Sequence, residues 1–276
     1  MLQIILVTFA LLFGLALNAQ NSNTLSIVLE ANEAPPFWSK TLAHNGMGGE
    51  IIYEISKAAG INTSIVFKPL SRLIEDDTNN DLGNPAFYIV NQDFKEIIPI
   101  ALYYASFYSY AKNHKNDGNR SKDFQITSFD ELKGKKIGLL KGTLIDHSYF
   151  ENKGILFEQS YSQESLFKKL RLGRLDYVIE INLVAQEVIK KLYPSELDNF
   201  IHSNMNTSHP IAIMLANEQP NAHEIAKKYK KGLDEIIANG IYRKIVEKYY
   251  SQEPFPENWL EDLQRYTQLY TLQEDD

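Results

Sequence analysis

Hydrophobic and polar positions along the first half of the chain recur with the two periods that distinguish strands from helices. Leu25 to Glu30 alternates as a strand does. After Gly48 the apolar residues recur at helical spacing until Gly60, a residue that favours the end of a helix. The pattern also predicts strands at Thr63 to Phe67 and Pro85 to Val90, with a short helix between them at Ser71 to Asp76. Strands alternating with helices in this way predict a parallel sheet and an α/β fold.

The same alternation resumes in the second half, after an aromatic-rich extended run from Tyr103 to Lys112 and a polar loop. Ser128 and Glu131 have the spacing of a capping box, which predicts a short helix. The other predicted strands are Lys135 to Leu140, Leu175 to Ile179 and Ile211 to Leu215. The other predicted helices are 141–152, 162–172, 183–192, 222–238, 241–250 and 259–270.

The N-terminus carries an uncharged apolar run, Ile4 to Leu17, followed by Ala19 and a polar stretch. The run is shorter than the about 20 residues that a membrane-spanning helix needs. An apolar run of this length before a small residue is typical of a secretory signal peptide, so residues 1–19 are predicted to be removed on export.

Charge and cysteine content exclude several classes of function. The net charge is −7 and Lys and Arg do not form a basic stripe along the sequence, which argues against a nucleic-acid partner. The absence of cysteine excludes disulfides, thiolate metal sites and cysteine nucleophiles. The six histidines lack the i, i+4 spacing of a helical metal pair, and no phosphate loop or nucleophile elbow is present. We therefore expect no metal, no cofactor and no catalytic residue.

Two loops at predicted strand ends are candidate ligand contacts, because ligands of open α/β sheets bind beyond the carboxyl ends of strands. Phe37 and Trp38 follow the first strand and would supply apolar walls. Lys141, Gly142 and Thr143 follow another strand and open a predicted helix. Free N–H groups at such a helix start attract anions, although an ordinary strand–helix turn has the same pattern.

Several short motifs occur in an order that resembles the family 3 bacterial extracellular solute-binding proteins, which bind polar amino acids. The strongest is Ser128 to Gly138 followed by Lys141-Gly142-Thr143. The others are Asn32 to Phe37, Gly48 to Ile51, Gly173 to Asp176, Asn239 to Tyr242 and Tyr249-Tyr250. The resemblance covers about residues 24–250.

The resemblance implies the type II periplasmic-binding fold, an α/β architecture of two lobes joined by two crossing hinge strands. Lobe 1 would comprise residues 24–107 and 210–276, and lobe 2 residues 108–209. The ligand would lie between the lobes, where closure of the hinge traps it.

The chain departs from this family at both of its ligand clamps. The resemblance implies an arginine that pairs with the ligand carboxylate, but the aligned residues here are Val90 to Asp93, which include the uncharged Asn91 and no arginine. Lys95 lies slightly beyond this position. The acidic residue that holds the ligand ammonium aligns with Ile181, and Glu180 is one residue early. Replacement ligand contacts at Glu50, Arg72, Tyr103 and Glu180 are therefore added to the candidate site.

The resulting hypothesis is a monomeric periplasmic protein that captures a small polar solute, amino-acid-like or an organic acid. It would present the solute to a membrane importer permease or to a sensor. Two alternatives stay open. One is a hydro-lyase on the same scaffold, using Glu180 or His209, because a fold does not fix a function. The other is a binding module that has lost its ligand and acts in protein interaction.

Overall fold

The computed structural model describes residues 25–75, 78–87, 94–111, 126, 128–141, 151–250 and 258–272. The strands are β1 (Leu25–Ala31), β2 (Ile61–Phe67), β3 (Asp81–Gly83), β4 (Phe94–Tyr110), β5 (Lys136–Leu140), β6 (Leu156–Ser160), β7 (Tyr177–Ile181) and β8 (Phe200–Ala216). The helices are α1 (Gly46–Ala59), α2 (Leu70–Glu75), α3 (Gln163–Arg171), α4 (Asn182–Leu192), α5 (Ala222–Ala238), α6 (Ile241–Tyr249) and α7 (Trp259–Leu272).

The strands form one sheet in the order β2-β1-β3-β8-β4-β7-β5-β6. We call β2, β1 and β3 the first strand group and β7, β5 and β6 the second strand group; each is parallel within itself. Between them lie β4 and β8, the connecting strands, which pair antiparallel with each other and with their neighbours in the two groups. The sheet is therefore mixed rather than purely parallel as the alternation predicted.

The connecting strands change register at three places along β4, between Phe94 and Glu96, between Pro99 and Ala101, and between Tyr104 and Ser106. The last of these lies close to the middle of both strands, and we call it the register change. Tyr103 pairs with His209 and Tyr104 with Ser208, but Ser106 pairs with Asn204. The β8 segment opposite this step is longer than the β4 segment, an irregularity that bends a strand locally. In the part of the chain that the structure describes, only these two strands join the first strand group to the second within the sheet.

The hydrophobic core follows the same division. A large cluster packs α1, α5, α6 and α7 against the first strand group and the connecting strands, with Leu29, Ile55, Tyr229 and Trp259 fully buried. The start of α4 also reaches this cluster. One smaller cluster packs α3 and α4 against the second strand group around Phe167. Another, on the opposite face, packs Leu132 and Ile155 around Leu139. No helix in the described ranges is both long and apolar enough to cross a membrane.

Most of the predicted elements are present, with three differences. The strand predicted at Pro85 to Val90 is wrong over its first half, because Pro85–Phe87 form a 3-10 turn and a strand precedes it at β3; residues 88–90 lie outside the described residues. Neither β6 nor the polar first half of β8 was predicted. The capping box at Ser128 and Glu131 is confirmed: Ser128 Oγ accepts the N–H of Asp130 at 3.1 Å, and Glu131 accepts the N–H of Ser128 at 3.2 Å.

Candidate functional site

The loop after β1 is folded tightly onto the start of α1. The backbone N–H groups of Met47 and Gly48 donate to the carbonyls of Pro36 and Phe37 at 2.9 and 2.7 Å. Gly46 has a φ of 88°, and a Cβ there would lie 2.6 Å from the Pro36 carbonyl, so only glycine fits. The first N–H groups of α1 are thereby satisfied by the chain itself, and the loop is held in one position.

This loop places Phe37 against the connecting strands. Phe37 is buried, with ring centroids 6.0 Å from Trp38 and 6.4 Å from Tyr103. Trp38 is also buried, and its indole N–H donates to Asn32 Oδ1 at 3.3 Å. Of the two aromatic residues predicted from the loop after the first strand, Phe37 therefore packs on Tyr103 of β4, and Trp38 packs on Phe37.

Tyr103 is the centre of a cluster that joins three parts of the chain. Its hydroxyl accepts a hydrogen bond from Asn84 Nδ2 at 2.6 Å, and its ring stacks on His209 at 5.1 Å. Asn84 follows β3, and its Oδ1 also accepts the N–H of Ala86 at 3.0 Å. We call Phe37, Asn84, Tyr103 and His209 the junction cluster. It joins the loops that follow β1 and β3 to the middle of β4 and β8, beside the register change.

Burial controls the protonation of this cluster. Burial raises the pKa of Tyr103 well above its ordinary value; the Asn84 hydrogen bond lowers it in part, and the Glu180 charge raises it further. Burial lowers the pKa of His209, which favours the neutral imidazole. The junction cluster is therefore uncharged near neutral pH.

Glu180, near the end of β7, is the acidic group close to this cluster. Its side chain is 8% exposed; Oε1 accepts the backbone N–H of Ile181 at 2.9 Å. Its Oε2 is buried and has no hydrogen-bond partner among the described residues. Burial raises the pKa of Glu180 to about 7, only partly offset by the Ile181 N–H. A buried carboxyl with a free oxygen is costly unless something pairs with it.

The structure brings some predicted contacts together and separates others. Phe37, Tyr103 and Glu180 lie at the junction of the two strand groups. Glu50 instead accepts from Lys248 and, at 3.2 Å, from Tyr249, so its carboxylate pairs with α6. Arg72 is exposed on α2.

The predicted anion contacts are only partly described. Lys141 is exposed, and its Nζ donates to the hydroxyl of Tyr161 at 2.7 Å. Gly142 and Thr143 lie outside the described residues, and so does Asn91.

Asn84 was not predicted, although an asparagine directly before a proline is a turn signal. His209 was noted only as a candidate acid or base. Its role as a stacking partner of Tyr103 depends on the pairing of β4 with β8, which local sequence does not reveal. Within the described residues, no group of His, Asp and Glu could hold a metal ion.

These features define a two-lobed α/β protein with the type II periplasmic-binding fold. No protein-family model matches the chain. The chain is 24% identical over 238 residues to a probable histidine-binding protein of Campylobacter jejuni, covering 84% of this chain and 88% of that protein. It is 25% identical over 137 residues to the histidine-binding periplasmic protein of Escherichia coli K12, covering 48% of this chain and 52% of that protein.

Solved structures show the same fold. A substrate-binding protein of an amino acid ABC transporter has a TM-score of 0.55 at 19% identity, covering 82% of this chain and 99% of its own. A histidine kinase sensor domain similar to periplasmic binding proteins has a TM-score of 0.61 at 14% identity, with 82% and 96% covered. An ancestral amino acid-binding protein, a precursor of cyclohexadienyl dehydratase, has a TM-score of 0.58 at 16% identity, with 82% and 95% covered. The resemblance to family 3 solute-binding proteins is confirmed.

Proposed function

We propose that this chain is a periplasmic solute-binding protein that captures a small polar solute of the amino-acid class and delivers it unchanged to a membrane importer. Its relatives named histidine-binding proteins and its structural likeness to a transporter's substrate-binding protein support this function. The N-terminal signal peptide is part of the proposal and lies outside the described residues.

The observation that carries the proposal is the buried, unpaired oxygen of Glu180 beside an aromatic junction cluster. A site that leaves a buried carboxyl oxygen free is suited to a ligand that brings its own N–H donor or ammonium group. Phe37 and Tyr103 offer apolar faces next to it, and cations are also attracted to aromatic faces. The proposed ligand therefore presents a positively charged or N–H-bearing end to Glu180.

The other end of the ligand is proposed to meet the turn after β5. Lys141 is the described part of that turn, and Gly142-Thr143 would supply backbone N–H groups for a carboxylate. Residues 24–107 with 210–276 would form one lobe and residues 108–209 the other. Closure about the connecting strands would bring both ends of the ligand into contact at once.

A second candidate function follows from the protonation of Glu180. A carboxyl with a pKa near 7 could serve as a general acid, as a hydro-lyase would need. Among the described residues, no charged group contacts Glu180 as a base would. His209 is partly buried and stacks on Tyr103 instead. The binding function is therefore the better supported one.

The proposal is tested by thermal unfolding of refolded, ligand-free protein against amino acids, amines, organic acids and sugars. A ligand at 100 times its Kd stabilises by about 2.7 kcal/mol. At this size each kcal/mol raises Tm by roughly 2–4 °C, so a true ligand gives a clear shift. Glu180→Gln should reduce that shift strongly. Glu187→Gln, which changes an exposed glutamate on α4, is the matched control.

Mass spectrometry of the recovered compound separates the candidates. An unchanged compound together with a saturable shift supports capture of a solute. A dehydrated product would instead establish the enzyme. No shift across the whole panel would contradict the binding function and favour a module that acts through protein contacts.

A further inference from the structure

Helix α7 packs across the connecting strands beside their register change. Its buried positions recur along one face, at Trp259, Leu263 and Tyr270, with Tyr266 half-buried between them. This spacing is that of a helix with one side against a surface. The Trp259 ring lies 6.2 Å from Tyr104, so that side faces β4.

Polar contacts attach the start of α7 to α6 and, through it, to β4. The Trp259 indole N–H donates to the Tyr242 hydroxyl at 2.9 Å, and this hydroxyl donates to the Ile100 carbonyl at 3.0 Å. Both residues are fully buried, which makes the two hydrogen bonds costly to break. Trp259 also packs edge-on against Tyr250 at 5.4 Å, so α6 and α7 are held together.

The next turns of α7 attach to the other connecting strand. Asp262 Oδ2 accepts the Ser208 hydroxyl at 3.0 Å, and the Tyr266 hydroxyl donates to the Ser208 carbonyl at 2.5 Å. Ser208 is the residue that pairs with Tyr104, immediately before the register change. Burial, together with the charge of nearby Asp262, raises the pKa of Tyr104 to about 12, as expected if the helix closes over this pair.

We propose that α7 is a hinge strap, which clamps the Tyr104–Ser208 pair to the core of the first strand group and confines bending to the register change between Tyr104 and Ser106. The strap holds β4 through Trp259 and β8 through Asp262 and Tyr266. Ile100 and Tyr104 lie about 13 Å apart along β4, so the clamp stiffens about four residues of this strand. Its role concerns the motion of the fold and holds whether or not the ligand proposed above is the right one.

The test measures the spread of distances between the two strand groups in solution. Because the chain has no cysteine, Ala58→Cys on α1 and Glu187→Cys on α4 give two unique sites for spin labels at exposed positions. Pulsed dipolar spectroscopy then compares this labelled protein with the same protein carrying Asp262→Ala and Tyr266→Phe. The distance distribution of the strap variant should be at least twice as wide.

Matched controls are Glu261→Ala, which removes a charge from the exposed side of the same helical turn, and Tyr53→Phe, which removes an exposed hydroxyl. Both should leave the distribution unchanged. An equally narrow distribution in the strap variant would overturn the proposal.

A milder variant keeps the proposal testable if the double change prevents folding. Tyr266→Phe alone retains the ring and loses only the hydrogen bond to Ser208. Amide hydrogen exchange at Ala101 to Tyr104 should then be at least tenfold faster than in the parent protein, while exchange in β5 stays the same. Unchanged exchange at both places would count against the strap.

Discussion

Glu180 is buried without a complete set of partners, and its pKa makes this measurable. The folded protein keeps the Glu180 proton at a pH where the unfolded chain has lost it, so unfolding releases a proton between about pH 4.5 and pH 7. The stabilisation from the neutral carboxyl is therefore fully present at low pH and is lost as the pH rises through 7. The shift corresponds to about 3 kcal/mol.

Glu180→Gln should remove this pH dependence in the ligand-free protein. The amide stays neutral at every pH, so the variant should be more stable than the parent at pH 8 by about 1–3 kcal/mol and similar to it at pH 5. Urea unfolding of both proteins at the two pH values measures the difference. If the free energy of unfolding falls equally in both proteins from pH 5 to pH 8, Glu180 ionises in the folded protein without a loss of stability.

Tyr103 and Asn84 form a buried pair whose loss has a defined cost. Tyr103→Phe leaves the Asn84 amide without its acceptor at 2.6 Å while the ring still packs on Phe37. An unsatisfied buried donor costs about 1–3 kcal/mol, which is the expected loss in unfolding free energy. Chemical denaturation provides the measurement, and exposed Tyr53→Phe should change the result by less than about 0.5 kcal/mol.

The residues of the site differ in how far the sequence could predict them. Phe37 follows a strand with a clear alternating pattern, so its place at the sheet edge was predictable. Glu180 became a candidate because it lies one residue before the position at which the family resemblance implies an acidic residue. That one of its oxygens is unpaired depends on how distant parts of the chain pack around it, which the sequence does not show. Asn84 reaches Tyr103 across 19 residues of chain, a contact that no local pattern encodes.

At the scale of elements, helix α5 packs so closely on α1 that one position has no room for a side chain. A Cβ on Gly232 would lie 2.7 Å from the backbone carbonyl of Ile55. Gly232→Ala gains up to about 1 kcal/mol of helix propensity but forces the two helices apart, so we expect a net loss of about 1–2 kcal/mol. Thermal unfolding measures this loss. Lys231→Ala, at the neighbouring exposed position, should be nearly neutral, and a stabilised Gly232→Ala would refute the close packing.

Helices with one apolar face were the most predictable elements, because a period of 3.6 residues survives over several turns. Strands that take part in long-range pairing were less so. The first half of β8 reads as polar, yet its backbone pairs with β4 from Tyr104 to Tyr110. Its strand conformation therefore depends on a partner about 100 residues earlier in the chain. The strand β3, which was not predicted, likewise depends on its pairing with β8.

At the scale of the whole molecule, both tryptophans report on one half of the structure. The chain contains two, and Trp38 and Trp259 both belong to the core of the first strand group. Their fluorescence should follow that core, whereas circular dichroism follows every helix. The two signals together can therefore resolve whether the halves unfold as a unit.

Phe167→Ala tests this directly, because Phe167 is fully buried in the core of the second strand group. The substitution should cost that half about 3–5 kcal/mol. In a urea titration, the dichroism midpoint should then fall below the fluorescence midpoint, since the two halves share only the connecting strands and the contact of Leu183 and Val184 with the large cluster. Coincident transitions in the variant would mean that the connecting strands couple the two cores fully.

The sheet order has a consequence for the synthesis of the chain. Strand β8 lies between β3 and β4, yet it is made after every strand of the second strand group. Until residue 216 has been synthesised, β3 and β4 lack the strand that lies between them. Helices α5 to α7, which complete the same core, are synthesised later still. The second strand group has all its strands and its β4 partner by residue 181. The half that begins the chain is thus the half that completes its folding last, and until then its unpaired strand edges need protection from other chains.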